Sequence, residues 1–141
     1  MHKAVELYKK SAEHPEQLPS LTLAFVGDAV YELYARTMML EKSLNAHTLN
    51  KRCVQLVNNR TQSALYDLLA PALDDTEQGV LRRGGNAKGI VPKNATTRDY
   101  RRATAVEALV GYWYLIDDEA RLKWAFNILW QMMEGDTDEQ S

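Results

Sequence analysis

The stretch from Ser20 to Glu41, SLTLAFVGDAVYELYARTMMLE, decides how the chain is read. Leu21, Ala24, Phe25, Ala29, Val30, Leu33, Tyr34 and Met38 recur at three- and four-residue spacing, the period of a helix and not of a strand. They cover much of the circumference, which predicts a central helix buried on several sides. Ser20, following Pro19, is its expected N-cap. Asp28, Glu32 and Arg36 stand in this run at four-residue steps, so all three share one helical face. They also interrupt the best candidate for a membrane span, which needs about 18 apolar residues.

The same period holds on either side, and alternating β-branched runs are hard to find. The expectation is an all-α domain with no substantial sheet. A first amphipathic helix is expected over 2–13, ending before Pro15. Asn45 can cap a segment from about Ala46 to Leu69 that divides near Asn58 and Asn59, with Cys53, Leu56, Val57, Leu65, Leu68 and Leu69 inward. Thr76 is expected to cap a short helix ending at about Arg83, closed by Gly84 and Gly85 in the C-terminal position that favours positive φ. Thr96 or Thr97 opens a helix to Leu115, and Asp118 opens the last, which is expected to stop at Gly135. Residues 1–135 then form a single domain, and 136–141 a short acidic disordered tail.

The chain has 141 residues, 45% hydrophobic and 26% charged. A core of that size needs no disulfide or metal staple. One cysteine, Cys53, excludes an intrachain disulfide and a Cys-rich zinc module, and with no signal-like N-terminus it points to the cytoplasm. The formal net charge of −2 argues against a nucleic-acid binder, but the average hides an asymmetry. Arg82, Arg83, Lys88, Lys93, Arg98, Arg101 and Arg102 stand against one acid, Asp99, within 21 residues, so this segment carries +6 and the remainder −8. Gly79, Gly84, Gly85, Gly89 and Pro92 fall in or beside it, which reads as a helix end, a mobile basic loop and a new helix. It is either a solvated loop that keeps the protein soluble or a footprint for a phosphate backbone. GGNAKG is not a Walker loop, because Ile90 and Val91 follow Gly89 in place of the Lys-Ser/Thr pair.

Two acids stand in apolar surroundings. Asp28 is flanked by Phe25, Val26, Gly27, Ala29 and Val30, and Glu107 by Ala105, Val106, Ala108, Leu109 and Val110. A buried carboxylate without a partner costs several kcal/mol, so each needs a cation, hydrogen bonds or a metal. Gly27 and Ala29 on one helix, with Ala108 and Gly111 on the other, would let the two pack closely and bring the acids together. Oxygen ligands without Cys or His suit Mg²⁺ or Mn²⁺ and not zinc; the bland alternative is an arginine such as Arg36 or Arg102 on each acid. Glu32 has the same two readings, an i,i+4 pair with Arg36 or a water-mediated metal contact. His2, His14 and His47 are not spaced as ligands, and Cys53 reads as core.

Read together, Leu23-Ala24-Phe25-Val26-Gly27-Asp28-Ala29-Val30 and Ala105-Val106-Glu107-Ala108-Leu109-Val110-Gly111 resemble the two acidic signature helices of the ribonuclease III catalytic domain. The chain from about Pro19 to Met133 is similar to the short subclass called Mini-ribonuclease III, which lacks the appended double-stranded-RNA-binding domain. Leu81-Arg82-Arg83-Gly84-Gly85-Asn86-Ala87-Lys88, with Pro92-Lys93-Asn94 and Tyr100-Arg101, looks like that subclass's loop before the second acidic helix. The resemblance implies an all-α homodimer that cleaves double-stranded RNA with Mg²⁺, leaving 5′-phosphate and 3′-hydroxyl ends. It further implies maturation of the large-subunit (23S) ribosomal RNA precursor, with a ribosomal protein or pre-ribosomal particle as a candidate partner.

Carried over by position, Asp28 and Glu107 fall on the family's metal-binding, catalytic acids. Two positions depart from the full-length enzymes: Ala24 stands where they have Glu, and Thr104 where they have Asp. Water, the Thr104 hydroxyl and Glu32 are candidates for the missing oxygens. Arg82, Arg83, Lys88, Lys93, Arg98 and Arg101 are the expected RNA-binding residues, contacting shape and phosphates of A-form RNA. The departures motivate the alternative, a non-catalytic duplex-RNA-binding or ribosome-assembly module with the same fold.

Overall fold

A computed structural model describes Glu6, residues 13–42 and residues 44–140, with residues 135–140 as backbone alone. Among the described residues it contains six α-helices and no strand. They are α1 (Ser20–Met39), α2 (Ala46–Val57), α3 (Asn59–Leu69), α4 (Asp75–Asn86), α5 (Thr97–Leu115) and α6 (Glu119–Gln140), with single 3-10 turns at Pro15–Gln17 and Ala70–Ala72. The helix expected over 2–13 falls almost wholly outside the described residues.

The central helix is α5 and not α1. Ala103, Thr104, Ala105, Val106, Ala108, Leu109, Val110, Gly111, Trp113 and Leu115 are all buried, so neighbours close round most of its circumference. It packs chiefly against α1, α4 and α3. On α1 only one face is buried, through Leu23, Ala24, Gly27, Val30, Tyr31, Ala35 and Met39. The other apolar face is open: Phe25 is 80% exposed, and Leu21 and Leu33 are exposed too. The sequence pattern could not separate these, because residues that cover the helix circumference look the same whether a neighbour covers them or not. Leu68, expected inward, is likewise exposed.

Helix starts follow side-chain chemistry, with two shifts. Asn45, Asn58 and Thr96 each accept a hydrogen bond from the backbone N–H three residues on, as N-caps do. Asp118 accepts one from the Arg121 N–H. Ser20 is the first residue inside α1 and makes no cap bond; Pro19 precedes it and its carbonyl accepts from Thr22 and Leu23. Helix α4 is capped by Asp74, not Thr76, because Glu77 stands three residues after Asp74 and completes a reciprocal capping box.

Helix α4 also passes straight through Gly84 and Gly85 to Asn86, and no described glycine has positive φ. Gly84 serves close packing instead: a Cβ there would lie 2.8 Å from Ala105 Cα. Likewise α6 continues past Gly135, where no proline follows to stop it; one interior glycine costs only about 1 kcal/mol against alanine.

A polar knot ties three elements together. The buried Glu77 carboxylate accepts from Trp113 Nε1 at 2.7 Å, from Arg121 Nε at 2.8 Å and from Arg121 Nη2 at 2.7 Å. Burial pulls its pKa up, but the Arg121 bonds, the backbone bond and Trp113 outweigh that and hold it below the usual range. Cys53 is buried, and burial pushes its thiol up, as expected of a core residue. No described helix is long and apolar enough to cross a membrane.

Candidate active site

Helices α1 and α5 approach until backbone meets backbone. A Cβ on Gly27 would lie 1.7 Å from the carbonyl oxygen of Glu107, so only glycine permits the crossing. Asp28 is the next residue along α1, and the crossing therefore sets its carboxylate beside that of Glu107. The two are close enough to be joined by a hydrogen bond, which requires a proton between them. Burial, the hydrogen bond to Asp28 and the Asp28 charge together push the Glu107 carboxyl up to about 9, from an ordinary 4.5. Glu107 is half-buried and Asp28 exposed, so the pair opens to solvent on one side.

Of the small residues expected to allow this approach, Gly27 and Gly111 do so. Ala29 is exposed, and Ala108 faces Gly84 of α4. Neither arginine considered for the acids reaches them. Arg36 binds Glu32 at 2.6 Å, and Arg102 binds Asp67.

Two carboxylates side by side with no cation are electrostatically frustrated, and a proton or a hard divalent ion relieves them. Two carboxylate ligands with the remaining positions left to water and substrate is a donor set that suits Mg²⁺. The described residues hold no group of three or more His, Cys, Asp or Glu able to share an ion. Glu32 is engaged by Arg36 in the i,i+4 pair, and the Thr104 hydroxyl donates to the Tyr100 carbonyl at 2.9 Å. Ala24 is buried.

The basic segment divides into three parts. Arg82 from α4 and Arg98, Arg101 and Arg102 from the start of α5 line one cleft of about 360 Å³ together with Tyr66, Gln78, Leu81, Gly85 and Asn86. Lys88 and Lys93 are exposed on the connecting loop, which is held at Gly89 by close packing against the Tyr100 ring. Arg83 turns away and donates to the Glu16 carbonyl at 3.0 Å. Arg102, part of the segment's charge but not one of the expected RNA contacts, lines the cleft as well. Continuation of α4 through its two glycines is what completes the cleft, because Gly85 and Asn86, three and four residues after Arg82, then share its face on one helix.

The ribonuclease III domain family matches residues 21–118. The chain is 42% identical to the Mini-ribonuclease 3 of Desulfitobacterium hafniense over 88% of its own length and 79% of the relative's. It is 43% identical to that of Symbiobacterium thermophilum over 77% and 85%. Its fold is similar to the crystal structure of a Fusobacterium nucleatum protein, with a TM-score of 0.76 at 35% identity, covering 85% of this chain and 95% of that one. The paired acids at the α1–α5 crossing lie within the matched span, and the chain belongs to the ribonuclease III family, in its Mini-ribonuclease 3 group.

Proposed function

We propose that this protein is an endoribonuclease that cuts double-stranded RNA with the help of Mg²⁺, or Mn²⁺ in its place, and matures the ends of the 23S ribosomal RNA precursor. The observation that carries the reading is the contact between Asp28 and Glu107, two acids from separate helices held together at a cost in repulsion. Placement of such groups against their own stability is a mark of a working site. The family, and the Mini-ribonuclease 3 relatives, support the choice of reaction.

Asp28 and Glu107 would hold the cation between them. When bound, the ion supplies Lewis-acid activation of water and of the phosphoryl group. The chain's own part is to fix two oxygens on rigid helices, so that they need no reorganisation when charge builds on the phosphate. Glu107 must give up its proton to act as an anionic ligand, and the open side of the pair gives that proton a route to solvent. The exposed lysines Lys88 and Lys93 and the clustered arginines Arg82, Arg98 and Arg101 would supply contacts to the RNA backbone.

The active form in this reading is a homodimer. Leu21, Phe25, Ala29 and Leu33 form an exposed, largely apolar stripe along α1, too apolar for a face meant to stay in water. A cavity lined by Val30, Leu33, Tyr34 and Tyr114 adjoins the stripe at its Leu33 end, about two turns along α1 from Phe25, and an exposed apolar side chain with a recess on the same face is what a two-fold, self-complementary interface needs. A ribosomal protein or pre-ribosomal particle remains a candidate partner.

The direct test is incubation of purified protein with duplex RNA and Mg²⁺. Cleavage is expected, lost by at least about 100-fold in Asp28→Asn and Glu107→Gln while both variants keep their helical circular dichroism. Robust cutting by either folded variant would remove the assignment of the acids. Duplex binding without cleavage at any Mg²⁺ or Mn²⁺ concentration would leave the non-catalytic module in its place.

A further inference from the structure

The loop between α4 and α5 has little backbone bonding to hold it. Its described hydrogen bonds are confined to the ends, from the Ala87 N–H to the Gly84 carbonyl at 3.3 Å and from the Ala95 N–H to the Pro92 carbonyl at 3.2 Å. Lys88, Gly89, Ile90, Lys93 and Asn94 are exposed. Such a segment has no reason of its own to keep one shape. What fixes its middle is a side chain. Gly89 lies so close to the Tyr100 ring that a Cβ on it would be 1.9 Å from the hydroxyl oxygen, 3.0 Å from Cζ and 3.3 Å from Cε1. Tyr100 is half-buried, and its hydroxyl makes no hydrogen bond with a described residue. Its carbonyl accepts from the Thr104 hydroxyl at 2.9 Å.

Tyr100 shares a helix face with the catalytic-site acid. Thr104, Glu107 and Gly111 follow it on α5 by four, seven and eleven residues, so all four lie within about 60° of arc. Tyr100 and Glu107 are separated by about 10 Å along the axis. The loop therefore rests on the same helix face that brings Glu107 to Asp28, and α5 itself measures the distance from the acid pair to Lys88 and Lys93. A tyrosine suits this task, since its ring offers a large rigid surface with only two χ angles to order.

We propose that Tyr100 is a positioning residue for the nuclease reaction: its ring latches the loop at Gly89 and so holds Lys88 and Lys93 at a fixed distance from Asp28 and Glu107. This rests on the reading of the loop lysines as RNA contacts. Tyr100 touches no reacting atom. It acts by ordering the loop before a duplex arrives, which lowers KM and leaves kcat alone.

The test compares the full-length wild type with Tyr100→Leu, Gly89→Ala, Tyr100→Phe and the Gly89→Ala/Tyr100→Phe double variant. Trypsin cuts after Lys88 and Lys93 in proportion to the fraction of loop that has left its seat, so cutting there is expected to be at least about tenfold faster in Tyr100→Leu and Gly89→Ala, with helical circular dichroism retained. KM for a duplex should rise about fivefold or more in both, with kcat within about twofold, because two lysines must then be ordered on binding. Tyr100→Phe keeps the ring and should recover most of the protection and of the KM. In the double variant the oxygen that the new methyl group strikes is gone, so the Gly89→Ala defect should shrink, a coupling that no general loss of stability produces. Dissociation constants for the same duplex in a Glu107→Gln background keep the latch separate from the nuclease reading. A rise there on Tyr100→Leu supports the latch even where the wild type cuts nothing. Unchanged trypsin rates in Tyr100→Leu and Gly89→Ala would overturn it, because something else would then hold the loop. A released loop with unaltered duplex affinity would overturn it as well, and so would a fall in kcat at unchanged KM.

Discussion

Gly27 and Gly111 face each other across the α1–α5 crossing, and neither leaves room for a methyl group. A Cβ on Gly27 would lie 2.8 Å from the Gly111 nitrogen, and one on Gly111 would lie 2.1 Å from the Leu23 carbonyl oxygen and 3.0 Å from the Gly27 nitrogen. Both obstacles are backbone, which cannot rotate aside. The contact that permits the fold is therefore also the contact that sets the separation of the two acids.

Gly27→Ala is expected to destabilise the protein by about 3 kcal/mol or more, the upper end of the overpacking range, and to abolish cleavage even where folding is rescued at low temperature. Urea unfolding measures the first and a cleavage assay the second. A variant within about 0.5 kcal/mol of wild type would mean the helices can part cheaply.

Glu107→Gln should separate stability from activity. In the folded metal-free protein Glu107 keeps its proton up to about 9, whereas the unfolded chain loses it near 4.5. The folded state thus binds more protons across that window, and stability falls as pH rises through it. The variant removes this cost and should be about 1–2 kcal/mol more stable at pH 8 with metal chelated, while losing cleavage. Thermal melts at pH 5 and pH 8 check it: the difference between variant and wild type should widen at the higher pH.

The Glu77 knot predicts the opposite slope. Its folded pKa lies below the ordinary value, so its contribution is present above the unfolded pKa and is lost as pH falls through the folded one. Glu77→Gln should cost about 3 kcal/mol at pH 7, because the amide keeps one acceptor oxygen of two and no charge to pair with Arg121, and less in acid. The indole of Trp113 donates to Glu77, so its fluorescence reports the loss directly.

Phe25→Asp tests the proposed pairing of α1 faces. Phe25 is 80% exposed in the single chain, so the substitution should leave the fold and its stability within about 0.5 kcal/mol. Light scattering should show a dimer for the wild type and a monomer for the variant, with cleavage reduced at least about tenfold. An unaltered dimer would put the interface elsewhere.

Much of this was legible in the residues. Spacing of three and four marked the helices, Asn45 signalled a cap that the structure uses, Asn58 and Asn59 marked where two helices meet, and Asp28 and Glu107 stood out as charges in apolar runs. Gly84 and Gly85 misled, since a glycine pair before a basic run looks like a helix end. The real reason for Gly84 is Ala105, 21 residues further along the chain, which local patterning does not register. Leu21, Phe25 and Leu33 misled in the same way, because hydrophobicity alone does not say whether a residue is covered by its own chain.

The sequence by itself determined the helical class, the two acids and the location of the excess positive charge, because each is a property of residue type and local spacing. Only tertiary structure decided which side each residue serves. The α1–α5 crossing joins Asp28 to Glu107 and leaves Glu32 with Arg36, while the convergence of α3, α4 and α5 gathers Arg82, Arg98 and Arg101 and excludes Arg83. The physical reason is that helical periodicity gives the angle of a side chain about its own axis, whereas the distance between two helices depends on whether their backbones can touch. Here that depends on glycines packed against residues remote in the chain.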